Sequence, residues 1–270
     1  MVRKIIYISI FTFWLQTSLA MAGTTGSEEL KDTSSQSATE ECFEGFSRAM
    51  FELNYDLDRI IFQPVAKGYR ALPVPIRKGT GNAINNLRSL LTLSNNILQG
   101  EFGRAGNNAA RFGINSTAGI LGIFDPASKL GFEDQGKEDF GQTMGVWGAN
   151  SGCYFVLPII GPTTVRDAAG LVGNFFLDPV FHVTHNSEIH NGLVGNSNYS
   201  EHNYYYYRGT GAVDFRAKNI ESWDSLEENS IDLYASLKSL YLQNRKQRIA
   251  NSTSAVETQD DSDWEEIDTN

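Results

Sequence analysis

Glu138-Asp-Phe-Gly-Gln-Thr-Met-Gly-Val-Trp-Gly-Ala-Asn-Ser-Gly-Cys-Tyr-Phe-Val-Leu-Pro-Ile-Ile-Gly-Pro-Thr-Thr-Val-Arg-Asp167 is apolar and Gly-rich, almost free of charge between its ends, and closes on an adjacent Arg166-Asp167. Gly141, Gly145, Gly148 and Gly152 step by four, three and four, which puts them on one face if the segment is helical. Small residues on one face let backbones approach closely, as happens where proteins pack in lipid. Each interior Gly also costs a helix about 1 kcal/mol relative to Ala. An irregular loop therefore competes with the helix, and the composition favours the loop. Arg166-Asp167 likewise has two readings. A buried structural ion pair is favoured over a phosphate-facing fork, because a buried charge needs a partner merely to be tolerated.

Outward from this stretch, amphipathic helices dominate. Phe46, Met50, Leu53, Leu57 and Ile60 recur at helical spacing, and Pro64 ends or bends that run. Leu72-Pro-Val-Pro75 reads as an extended connector. A helix from about 76 to 98 carries Ile84, Leu87, Leu91 and Leu98 on one side and Asn82, Asn85, Arg88 and Asn95 largely on the other, with Gly100 as its C-terminal cap. A third helix covers about 101–115, and residues 167–177 suit another ahead of Pro179. Residues 185–212 look irregular. Ser225-x-x-Glu228 reads as a capping box opening one long helix through Leu226, Leu233, Leu237 and Leu240, with Arg245, Lys246 and Arg248 at its negative end. Strand-like alternation is scarce, so the fold class is all-α.

The chain ends are different in kind. Arg3 and Lys4, the apolar run Ile5–Leu15 and Ala20-Met-Ala22 have the form of an export signal over 1–22. Residues 23–42 read as a flexible polar linker, 43–248 as the folded domain, and 249–270 as a disordered acidic tail. The formal net charge of −10 belongs to the ends: 251–270 hold seven acids and no base, whereas 43–250 nearly balance. Nothing supplies a basic stripe, so nucleic acid is not a partner. Beyond the signal, no segment offers 18 apolar residues in a row.

Catalytic and metal signatures are missing from the residues. The four histidines cluster at 182–202, without supporting acids or Cys at ligand spacing, and read as a polar surface loop. No G-x-S-x-G elbow occurs. Tyr204–Tyr207 suits either an ordinary exposed loop or a membrane interface. Cys42 and Cys153 pair in an exported protein only if the fold brings them together. These patterns imply no enzyme, cofactor or metal.

The opening stretch resembles the D-F-G-Q-T … L-P … G-P-x-T-x-R-D signature of the VacJ/MlaA family. The resemblance runs from about Cys42 to Arg245. It includes Glu44-Gly-Phe-Ser-Arg-Ala-Met-Phe-Glu-Leu-Asn54, Asn95-Asn-Ile-Leu-Gln-Gly100, Arg111-Phe-Gly-Ile-Asn-Ser-Thr117 with Phe124-Asp125, Val213-Asp-Phe-Arg216, and Asp232-Leu-Tyr234 with Tyr241-Leu-Gln-x-Arg245. It implies a ring-like bundle of amphipathic helices around a central polar channel, with irregular Gly-rich loops, embedded in the inner leaflet of the outer membrane at its periplasmic face. The implied function is phospholipid transport that maintains outer-membrane lipid asymmetry, with phospholipid, an outer-membrane porin and a periplasmic lipid carrier as partners. Phe51, Leu53, Asn54, Gly141, Gly145, Gly148, Gly152, Arg166 and Asp167 are then the candidates for channel lining or gate. Three departures stand out: Ala22-Gly23 replaces the family's lipobox, so the chain is not evidently lipidated; Ser47 and Leu90 replace a usual Asn and Pro; and 186–207 read as a divergent insertion. Cys42 and Cys153 occupy positions where the family usually has proline. Two other classes remain open: a structural or host-interaction surface protein, and a periplasmic lipid hydrolase.

Overall fold

A computed structural model describes residues 41–186 and 202–250. The expected signal segment, nearly all of the linker, and the acidic tail from 251 lie outside the described residues. The elements are α1 Glu44–Leu57, a π-helical turn Asp58–Phe62, α2 Gln63–Arg70, α3 Val74–Gln99, α4 Phe102–Thr117, α5 Pro126–Lys129, α6 Phe140–Val146, β1 Tyr154–Leu157, β2 Gly161–Thr164, α7 Val165–Leu177, α8 Pro179–His185, α9 His202–Lys218, α10 Ile220–Asn229 and α11 Leu233–Ile249. The protein is mainly helical. Its small antiparallel sheet pairs Tyr154 with Thr164 and Leu157 with Gly161.

Polar caps explain where the helices begin. Asp139, Thr164, Asp178 and Asp232 each accept a backbone N–H from the first turn of α6, α7, α8 and α11. Gly100, at φ 79°, closes α3 in the left-handed conformation and turns the chain directly into α4, so the two helices lie against each other. Pro64 does not end the run: helical backbone continues from α1 through the π turn into α2, and Pro64 falls directly after that turn.

Several sequence expectations need correction. Residues 140–146 are helical where the composition favoured a loop, because Asp139 caps the segment. The glycines do not share one helix face: Gly148 and Gly152 lie beyond α6 at φ 90° and 66°. The stretch expected as irregular over 185–212 contains the first half of α9, so Tyr204–Tyr207 are helical, with Tyr204 buried and Tyr205 and Tyr206 exposed. The long C-terminal helix is two. Ser225 sits inside α10, and Asp232 provides the cap that starts α11 afresh. The connector expected at 72–75 is shorter, since α3 already starts at Val74 with Pro75 in its first turn.

The distribution of polarity is inverted relative to an ordinary globule. Among the described residues, ten hydrophobic ones are buried, four of them alanines, against seventeen buried polar or charged ones, and thirty large hydrophobics are exposed. One apolar cluster joins Ala66, Ala217 and Ile220, and another joins Tyr154, Val156 and Tyr234. Bulky Ile120, Leu121 and Ile159 adopt positive φ at exposed turns, a conformation such side chains rarely take.

Candidate functional site

The residues that make the family-like motifs act first as clamps. Arg245, near the end of α11, reaches both carboxylates of the Gly-rich stretch. Its Nη1 donates to Asp139 Oδ2 at 2.5 Å and its Nη2 to Asp167 Oδ1 at 2.7 Å. Arg166 Nε and Nη2 also donate to Asp167, at 3.0 and 2.9 Å, and the Tyr241 hydroxyl donates to Asp167 Oδ2 at 2.5 Å. Burial works to raise the Asp139 and Asp167 carboxyls, but the Arg245 bonds outweigh it and hold both below the usual range. Arg166 and Asp167 are thus tied into a buried ion network, the favoured reading of that pair, and Arg245, assigned from sequence only to the helix dipole, is its centre.

Glycine makes the network possible. A Cβ on Gly141 would lie 2.7 Å from both Arg245 Nη2 and Asp167 Oδ1, and one on Gly170 would lie 2.5 Å from the Gly141 nitrogen. α6 and α7 therefore cross with their backbones almost touching. Gly145 faces Ile249 and Arg166 at similarly short range. Gly141 and Gly145 are both packed against side chains.

The hairpin is held from two sides. Asn54 Nδ2 donates to the Leu157 carbonyl at 2.8 Å, and the Ile159 N–H donates to Asn54 Oδ1 at 2.6 Å, so one α1 side chain ties the whole turn. Cys42 and Cys153 are joined in a disulfide with Cα atoms 5.4 Å apart. Phe51 packs edge-on to Tyr234 in the aromatic cluster, while Leu53 is exposed. Of the α1 candidates, Asn54 alone touches the hairpin turn through hydrogen bonds. A further clamp closes the 118–124 turn: Arg111 and Asn115 both donate to Asp125 at 2.8 Å. That turn presents Ile120, Leu121 and Phe124 outward.

Between α3 and α6 the interior is polar. Thr143 Oγ1 donates to Asn95 Oδ1 at 2.7 Å, and Gln99 Nε2 donates to Glu138 Oε2 and Thr143 Oγ1, each at 3.1 Å. Burial raises the Glu138 carboxyl, with Gln99 and Arg104 offsetting it only in part. Asn96 is 1% exposed, yet neither end of its amide has a partner among the described residues, and the side-chain oxygens of Gln99 and Gln142 are also unpartnered. Buried polar atoms of this kind require water or a polar solute. Asn95 was legible as part of a polar helix face and Asn96 only as part of a family-like motif, and the burial of neither was legible. Among the described histidines, His182 and His185 lie on α8 beside the carbonyls of Phe176 and Phe181, and no group of three metal-ligating residues occurs among the described residues.

Comparison with known proteins places this architecture. The MlaA lipoprotein family matches residues 39–248. The chain is 39% identical over 146 residues to an uncharacterised protein of Rickettsia prowazekii, a match covering 53% of this chain and 58% of that protein. It is 32% identical over 236 residues to the intermembrane phospholipid transport system lipoprotein MlaA of Haemophilus influenzae, covering 85% of this chain and 87% of that one. A solved structure described as "Structural basis for maintenance of bacterial outer membrane lipid asymmetry" aligns with a TM-score of 0.64 at 28% identity, over 78% of this chain and 99% of that one. With most of the described fold matched, and the ion network built from the residues that carry the likeness, this chain belongs to the MlaA family.

Proposed function

We propose that this protein moves phospholipid out of the outer leaflet of the outer membrane, passing it through a polar interior to a periplasmic carrier, and so maintains lipid asymmetry. The observation that carries the reading is the inverted polarity: exposed Ile, Leu and Phe side chains surround an interior of Asn, Gln, Thr and paired charges. Burying one such apolar side chain is worth about 1.5–3 kcal/mol. A belt of them seats a domain in one leaflet without a spanning helix, and no helix among the described residues is long and apolar enough to cross a membrane. A headgroup needs a polar route while its tails stay in hydrocarbon, and an interior with unpartnered amides suits that task. Lipid flow needs no covalent step, so the protein acts as a conduit and not as an enzyme.

An outer-membrane porin as scaffold and a soluble carrier as acceptor complete this reading, with the protein at the periplasmic face. The test is a clean deletion with complementation, scored by labelling surface phosphatidylethanolamine with a membrane-impermeant amine reagent. Surface labelling should rise in the deletion and return with the intact gene. Unchanged labelling sinks the proposal.

A further inference from the structure

Between α5 and α6 the chain runs without regular structure, and both ends of this run are fixed. At one end the Ala127 N–H donates to Asn115 Oδ1 at 3.0 Å, and Ala127 is fully buried. At the other, Asp139 is held by Arg245. The middle is fastened differently. No residue from 131 to 137 is buried, so the segment adds no side chain to a core. Three α4 side chains grip its backbone carbonyls instead: Arg104 Nη2 donates to Gln135 at 2.6 Å, Asn107 Nδ2 to Glu133 at 2.8 Å, and Arg111 Nη1 to Phe132. The three donors are spaced three and four apart, so they share one face of α4 and clasp the segment along its length.

Gly131 at φ 87° and Gly136 at φ 86° bound the gripped residues, and a Cβ on either would meet nothing within 4 Å. The backbone can turn at these two points without displacing a neighbour. Behind the inner end lies the polar interior. The Glu138 N–H donates to Thr92 Oγ1 at 3.4 Å, and the Glu138 carboxylate accepts from Gln99. Arg104, which grips Gln135, also stands 4.0 Å from that carboxylate. Thr92 and Glu138 are both buried, and the Gln99 side-chain oxygen has no partner among the described residues. Such an atom requires water, and water needs a route to it. Burial also lowers the Lys137 ammonium to about 8 and raises the Glu138 carboxyl, so the inner end is held closed against the preference of both groups for water.

We propose that residues 131–138 are a hinged strap, latched to α4 by Arg104, Asn107 and Arg111, that lifts to give water and small polar solutes a side entrance to the interior between α3 and α6. A segment with fixed ends, glycine pivots and only side-chain-to-backbone fastenings opens locally while the helices around it stay folded. The Arg245 network keeps the start of α6 in place as the strap moves. The inference goes beyond the transport reading, because it concerns access to the interior and stands or falls without any lipid.

The experiment uses the full-length protein in detergent. Cys42 and Cys153 are disulfide-bonded, so Thr92→Cys places a single free thiol directly behind Glu138. Its labelling rate with trimethylammonium-ethyl methanethiosulfonate reads how often the strap lifts. Asn107→Ala in this background removes one latch bond and should speed labelling by about three- to tenfold. Gly136→Ala strains the closed strap at φ 86° and should speed it by about five- to thirtyfold. Gly106→Ala, on α4 away from the strap, should leave the rate unchanged. Hydrogen exchange of the α4 amides, unchanged in the strap variants, separates lifting from unfolding. Labelling equally slow with and without the latch overturns the inference, as does a rise that comes only with lost protection of α4. If Thr92→Cys does not fold, exchange at the Glu138 amide of the otherwise native chain replaces it. That amide should exchange about three- to tenfold faster in Asn107→Ala than in wild type, and equal rates overturn the inference. Neither outcome alters surface labelling of phosphatidylethanolamine in the deletion, which alone tests transport.

Discussion

Replacing Arg245 by Leu removes the one cation shared by Asp139 and Asp167. Asp167 keeps Arg166 and Tyr241, at 2.9–3.0 and 2.5 Å, but Asp139 keeps only its contacts with Gln142. Stripping one partner from a buried pair costs about 3–5 kcal/mol. Asp139 retains an open edge, with 31% of its side chain exposed, which places the expectation near 3 kcal/mol. For a folded unit of this size that lowers the melting temperature by roughly 6–12 °C, read by circular dichroism of the detergent-solubilised protein. The pH dependence should change sign. In wild type the Asp139 carboxyl is held below its unfolded value, so its contribution is fully present above about pH 4 and fades as pH falls through the lower folded value. In Arg245→Leu, burial acts with no guanidinium to oppose it and raises the carboxyl above the unfolded value. Relative to wild type, the variant should therefore gain stability as pH falls from neutrality toward the carboxylate range. Equal melting temperatures, or a difference between variant and wild type that does not change with pH, refute the role assigned to this network.

Gly170→Ala should destabilise by about 1–3 kcal/mol, since its Cβ would meet backbone atoms of Gly141 at 2.5–2.6 Å and neither helix can yield locally. Gly106→Ala, on an open stretch of α4 with nothing within 4 Å, should instead stabilise by about 0.5–1 kcal/mol; thermal melts of both variants decide, and the same sign for both defeats the packing argument. Cys42→Ser with Cys153→Ser opens a link across 111 residues and should cost about 2–5 kcal/mol, with wild type falling to the variant's melting temperature in reductant. Reductant-insensitive melting together with thiol labelling of the native protein rules the link out.

Much of the helical framework was legible because it depends on local chemistry. Amphipathic spacing located α1, α3, α4 and α7 to within a few residues, and Gly100 was readable as a cap since only a left-handed residue turns α3 into α4. The Tyr tetrad misled because its neighbours are Asn, Ser, Gly and His, poor helix formers, whereas Tyr204 is held by burial against Phe175, Phe181 and His185. The split between α10 and α11 was missed because a run of leucines at helical spacing continues through it, and Asp232 caps only once Ser230 and Ile231 have left the helix.

By itself the sequence located α1, α3, α4 and α7 and carried the family likeness, properties of short windows and residue order. Tertiary structure alone decided which polar residues are inside. Arg245 lies 106 residues from Asp139 and 78 from Asp167, and no local pattern announces that the three meet. The same is true of Cys42 and Cys153, joined in a disulfide across 111 residues. Charge pairing and desolvation depend on distance in space, and among the described residues burial often runs opposite to residue type, so a rule placing apolar side chains inside points the wrong way for many of them.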